Sequence, residues 1–104
     1  MPERGTAFEA LGDPNRREIL TLLSGGGRSV QEIAEALPIS RPAVSRHLRL
    51  LKEAGFVAEE PRGTRRIYRL REEGPAAVQA YLDQVWGAAA TSFRLLAGNT
   101  AERP

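Results

Sequence analysis

One stretch limits what this chain can fold into more than any other: residues 29–54, SVQEIAEALPISRPAVSRHLRLLKEA. Ser29 and Glu32 have the S-x-x-E spacing of a capping box, in which each side chain satisfies an orphan amide at a helix start. Ile33, Ala34 and Leu37 fall at helical spacing, and Pro38 stops that first helix. Ser40 is a second N-cap, followed by Arg41 and Pro42, where the missing proline amide costs nothing. Beyond it Val44, Leu48 and Leu51 make one apolar stripe, with Ala43, His47, Leu50 and Ala54 beside it. The opposite face carries Arg41, Ser45, Arg49 and Lys52, flanked by Arg46. A short helix, a tight turn and a second helix with a basic outer face make a helix-turn-helix.

The flanks read as further elements. Phe8 and Leu11 are the apolar pair of a short first helix. Asp13 and Pro14 open a second helix as N-cap and first residue, with Ile19, Leu20, Leu22 and Leu23 directed to the core. Ser24-Gly25-Gly26-Gly27 ends it, because three glycines cost too much backbone entropy to continue. Gly55 closes the basic helix. A hairpin is predicted next, with strands Phe56–Glu60 and Thr64–Leu70 and a turn at Pro61-Arg62-Gly63. In the second strand Arg66, Tyr68 and Leu70 alternate with Arg65, Ile67 and Arg69, so one face can pack while the other is wet. A hairpin in this place is a wing. Pro75 opens a last helix reaching about Leu96, on which Val78, Leu82, Val85, Trp86, Ala89, Phe93 and Leu96 form an amphipathic stripe. The expected fold is mainly α with a small β-hairpin: a winged helix-turn-helix of about five helices and a two-stranded wing. Residues 1–97 make one domain and residues 98–104 a frayed tail.

The 104 residues are 41% hydrophobic, enough for one small core that leaves some apolar surface for a partner chain. No cysteine is present, which removes disulfides and thiolate ligands together. No segment approaches a membrane span, and the N-terminus has no continuous apolar run, so a cytoplasmic protein without membrane contact is expected. Net charge is only +2, but residues 41–71 hold nine basic and three acidic side chains while the rest of the chain is net acidic. Such polarity steers one face toward a polyanion.

The motifs LGDPNRREILTLL (11–23), SVQEIAEALPISRPAVSRHLRLLKEAGFV (29–57) and GTRRIYRL (63–70) resemble the ArsR/SmtB family of bacterial winged-helix repressors, and with the last helix they cover nearly the whole chain. The resemblance implies a homodimer joined through its first and last helices, with Phe8, Leu11, Val78, Leu82, Val85, Trp86, Ala89 and Phe93 at the interface. It also implies a double-stranded DNA operator and wings that flank it. Metal-sensing members commonly carry cysteines in the first helix of the helix-turn-helix, or Asp, His and Glu ligands on the last helix. Here neither set is present: the last helix offers Asp83 without a histidine, and one carboxylate does not hold a borderline or soft metal. No metal and no cofactor is expected, and the effector is unknown.

Within this frame the DNA-contacting set is Ser40, Arg41, Pro42, Ser45, Arg46 and Arg49 on the basic helix, with Arg62, Arg65 and Arg66 on the wing. Arg41 and Arg46, nearest the helix start, are the base-reading candidates, because arginine can bond guanine O6 and N7 together. Ser40, Ser45 and Arg49 suit phosphates. His47, the single histidine, lies beside the apolar face and is read as structural. Arg16 and Arg17 can equally meet phosphates or pair with Glu18, Glu32 or Glu35. Glu72, Glu73 and Asp83 read as solvated surface. Phe8, Tyr81, Trp86 and Phe93 read as dimer core, with a pocket for an organic effector as the alternative. A protein-interaction module is the competing class, but it calls for apolar residues on the outer face of the basic helix, where arginine and serine stand. An enzyme has no support: no nucleophile–base pair, phosphate loop or carboxylate pair is in view.

Overall fold

The computed structural model describes residues 4–100, with side chains from Ala7 to Ala90. Five helices and three strands follow in the order α1 (Arg4–Leu11), α2 (Pro14–Leu23), β1 (Arg28–Ser29), α3 (Val30–Ala36), α4 (Arg41–Glu53), β2 (Val57–Arg62), β3 (Arg65–Leu70) and α5 (Ala76–Thr100).

The helix starts follow their capping chemistry. The Asp13 carboxylate accepts the amides of Asn15 at 2.8 Å and Arg16 at 3.2 Å. Ser29 and Glu32 close the reciprocal capping box, at 3.2 Å to the Glu32 amide and 2.8 Å to the Ser29 amide. Ser40 Oγ accepts the Ala43 amide at 3.2 Å. Gly55, with φ of 85°, ends α4 in a conformation that a side chain would strain.

The core lies where α4 crosses α2 and α3. Val44, Leu48 and Leu51 on α4 are fully buried with Ile19 and Ile33, each aliphatic side chain contributing about 1.5–3 kcal/mol by leaving water. Leu23, Ala54, Phe56 and Val57 complete it. Leu20 and Leu22, expected inside, are half-buried at its margin.

Two features of the wing differ from expectation. The sheet has three antiparallel strands in the order β1-β3-β2, with Arg28 opposite Tyr68 and Ser29 opposite Ile67. A two-residue strand has no periodicity to read, and its pairing comes from the tertiary approach of the α2–α3 loop. That approach is close: a Cβ on Gly27 would stand 2.7 Å from the Ile67 Cγ2. The turn is Gly63-Thr64, with Arg62 directly opposite Arg65, so Pro61 and Arg62 belong to β2. Gly63 has φ of 66° and Thr64 no positive φ, as a II′ turn requires. Pro61 is tolerated because β2 is an edge strand and the pair next to a hairpin's closing pair exchanges no backbone bonds. Neither face of β3 is purely dry, since Ile67 and Tyr68 on opposite faces are both half-buried.

Helix α5 packs on α1, where the Phe8 and Tyr81 rings meet edge to face at 5.2 Å. Ala77 and Val78 reach the core, as does Leu11 from α1. Every residue from Gln79 to Ala90 is exposed. The helix continues past the expected end at Leu96 to Thr100; of the expected tail, residues 101–104 lie outside the described part. No helix among the described residues is long and apolar enough to cross a membrane.

Candidate nucleic-acid interface

The turn between α3 and α4 presents the N-terminal end of α4 to solvent. Ser40, Arg41, Pro42, Ser45, Arg46 and Arg49 are all exposed on one side of the helix whose other side is the core. The positive end of the α4 macrodipole lies at Ser40 and Arg41 and adds to their attraction for anions. Ser40 uses its hydroxyl oxygen as an acceptor for the cap, so its O–H proton remains able to donate. Arg41 and Arg46 have no ion-pair partner among the described residues, whereas Arg49 reaches Glu53 at 4.0 Å.

The wing's cations are held differently. Arg62 pairs with Glu60 at 3.0 Å, and Arg69 reaches the same carboxylate at 2.8 Å. Arg66 pairs with Glu59 at 2.9 Å, and that carboxylate also accepts Lys52 Nζ at 2.6 Å and the Tyr68 hydroxyl at 3.2 Å. These hydrogen bonds, from Lys52 first and Arg66 second, hold the Glu59 carboxyl down to a pKa of about 2. Through Lys52 the contact ties the end of α4 to the hairpin. Arg65 turns back toward α3, donating to Ser29 Oγ at 2.9 Å and lying 3.6 Å from Glu32, so it braces the capping box.

Both halves meet in one shallow groove of about 410 Å³, lined by Ser29, Val30, Gln31 and Ser45 on one side and Thr64, Arg65, Arg66 and Tyr68 on the other. The fold thus brings Ser45 of α4 together with Arg65 and Arg66 of the wing, while Arg62 pairs along its own strand with Glu60. Neither Gln31 nor Thr64 stands out in the sequence. Thr64 becomes legible once Gly63 is assigned to the first turn position, but Gln31 carries no local signal.

Behind this face, His47 is buried at 7% exposure. Arg16 Nη1 lies 3.4 Å from its Nδ1, and because guanidinium only donates, the contact needs an unprotonated Nδ1. Burial lowers the His47 pKa, Arg16 and Arg46 push the same way, and Asp13 opposes them. Arg16 also donates to the carbonyls of Ala10 at 2.8 Å and Glu9 at 3.0 Å, and Arg17 to that of Leu11 at 2.7 Å. The sequence left phosphates and carboxylates equally open as partners for these two arginines. The structure uses them on the last carbonyls of α1, those of Glu9, Ala10 and Leu11.

The opposite end of the molecule carries the expected interface residues. Phe8, Leu82, Val85 and Trp86 are exposed, Trp86 by 64%, and Ala89 is exposed with them. Leu11 and Val78 pack instead against the chain's own core, and the Phe93 side chain lies outside the described residues. No group of three or more His, Cys, Asp or Glu side chains able to hold a metal occurs among the described residues.

Residues 11–60 match a family described as a helix-turn-helix domain. The HTH-type transcriptional regulator Rv2034 of Mycobacterium tuberculosis is 46% identical over 95 residues, covering 91% of this chain and 87% of that protein. An ArsR-like transcriptional regulator from Rhodococcus sp. RHA1 superposes with a TM-score of 0.83 at 26% identity, covering 96% of this chain and 94% of that one. The homodimeric winged helix-turn-helix DNA-binding domain of Mb0332 from Mycobacterium bovis superposes with a TM-score of 0.65 at 34% identity, covering 80% and 77%. A reading helix with an open basic face, a three-stranded winged sheet and this likeness over nearly the full length place the chain in the ArsR/SmtB family of DNA-binding transcriptional regulators.

Proposed function

We propose that the chain is a homodimeric repressor that binds an imperfect inverted repeat and carries no metal-sensing site. Two α4 helices enter successive major grooves, with half-site centres roughly one helical turn (about 10 bp) apart or a multiple of it. Arg41 and Arg46 read base edges, Ser40, Ser45 and Arg49 bond phosphates with Pro42 between them, and Arg62, Arg65 and Arg66 approach the flanking backbone. The observation that carries this reading is the pair Arg41 and Arg46: both are exposed at the start of α4 and lack a carboxylate among the described residues.

Self-association is supported by the exposed Phe8, Leu82, Val85 and Trp86, since apolar area of this kind in a small chain calls for cover. The homodimeric state of the Mycobacterium bovis relative agrees with it. The donor chemistry argues against a metal-sensing site, because the chain has no cysteine and its single histidine is buried against Arg16. Fluorescence anisotropy with the chain's own upstream DNA and a scrambled control, across a salt series, tests the proposal. The native fragment should bind at least about 10³-fold more tightly. Equal affinity for both fragments would defeat specific recognition of that site, and no binding at low salt would defeat the DNA reading altogether.

A further inference from the structure

Nine basic side chains crowd residues 41–71, yet only Arg41 and Arg46 lack a carboxylate partner among the described residues. The pairing is concentrated on two neighbouring glutamates of β2. Successive strand residues point to opposite faces, so Glu59 collects Lys52 and Arg66 on one face of the hairpin while Glu60 collects Arg62 and Arg69 on the other. Both carboxylates are shielded, with 16% and 34% of the side chain exposed, while the four cations stay more than half exposed. Each glutamate thus offers wing cations the charge-assisted bonds that a DNA phosphate would offer.

We infer that Glu59 and Glu60 set the specificity of DNA binding by occupying the wing's cations in place of phosphate, which holds down affinity for random DNA. The inference rests on the DNA-binding reading and concerns how that site rejects wrong sequences. Non-specific affinity comes from cations that neutralise phosphates and release condensed counterions, at about 0.9 in the log–log salt slope for each phosphate. A cation already neutralised by a carboxylate contributes little of this. To engage a phosphate it must leave its partner, and the bared carboxylate then faces the DNA backbone. Exposed pairs are worth only about 0–1 kcal/mol, so the exchange remains open when other contacts favour it. On the operator, Arg41 and Arg46 supply those contacts through base edges. On random sequence they do not, and the wing stays closed on its own glutamates.

The test is anisotropy of the full chain and of Glu60→Gln on a random duplex and on the native upstream fragment, over a salt series. Glu72→Gln is the control: Glu72 is exposed, lies at the end of the wing, has no ion pair among the described residues, and its substitution makes the same change in net charge. Glu60→Gln should tighten random DNA by about 3- to 10-fold at low salt, steepen its slope by about one unit and reduce the ratio of specific to random affinity. Glu72→Gln should leave the slope where it is. Glu59→Gln reads the same effect through Lys52 and Arg66 and keeps the test standing if the first variant folds poorly. A wild-type slope in both Glu59→Gln and Glu60→Gln overturns the inference, as does a Glu72→Gln effect equal to theirs. Failure of the wild-type chain to bind any DNA is a distinct result, which would remove the underlying reading as well.

Discussion

Two surfaces of this molecule are unfinished, and they are unfinished in opposite ways. The start of α4 lacks counter-charge: Arg41 and Arg46 face solvent without a carboxylate among the described residues. The α1–α5 face lacks apolar cover: Trp86 is 64% exposed, and Phe8, Leu82 and Val85 are exposed too. Between them the core is closed, with Val44, Leu48 and Leu51 fully buried. The contrast teaches that the two surfaces call for different chemistry under the proposed reading, a polyanion at one and an apolar surface at the other.

The largest expected effect breaks the apolar end. Trp86→Ala should weaken self-association by about 2 kcal/mol or more, as loss of a large aromatic anchor commonly does, and operator affinity should fall with it. Sedimentation of the variant checks this; a monodisperse dimer with undiminished operator binding would remove Trp86 from the interface. Next comes the charged end. Arg46→Ala should reduce operator affinity by about 1–3 kcal/mol and relax preference at one base position, leaving sedimentation unchanged. Equal losses on operator and random DNA would show that Arg46 positions the protein without reading sequence.

A smaller effect sharpens the boundary between the reading helix and the wing. Arg65→Ala should weaken operator binding and lower its salt slope by about one unit, with a smaller change on random DNA, where Arg65 stays on Ser29 and Glu32. Because Arg65 also braces Ser29 Oγ at 2.9 Å, a small loss of thermal stability should accompany it. The smallest effect lies behind the interface, at His47. Its pKa sits below the ordinary 6.5, first through burial, so as pH falls below 6.5 the unfolded chain binds more protons than the folded one. Stability is therefore full above that value and declines on acidification toward the lowered pKa. Urea midpoints at about pH 7.5 and about pH 5.5 should show the decline in wild type and a flatter profile in His47→Gln.

What could be read from the sequence was what is settled locally. The capping box of Ser29 and Glu32, the caps at Asp13 and Ser40, and the stop at Gly55 each involve residues within a few positions of one another. They place α2, α3 and α4 almost residue by residue. The exposure of Arg41, Ser45, Arg46 and Arg49 follows from the same periodicity that buries Val44, Leu48 and Leu51. Features that depend on distant partners were not visible. Strand β1 exists only because Arg28 and Ser29 come against Tyr68 and Ile67. The turn was expected two residues early, at Pro61, because proline marks turns more often than edge strands. The wing's basic character was plain, but its neutralisation by Glu59 and Glu60 depends on cross-strand register and on Lys52 arriving from another helix. Arg16 and Arg17 took backbone carbonyls of α1, which no charge pattern announces.

The sheet's borders carry a last consequence. A strand edge is a template on which another chain can lengthen the sheet. Here β1 ends after two residues, and β2, the other border, contains Pro61, whose missing amide leaves a gap in any added ladder. Both borders are therefore poor templates for lengthening the sheet.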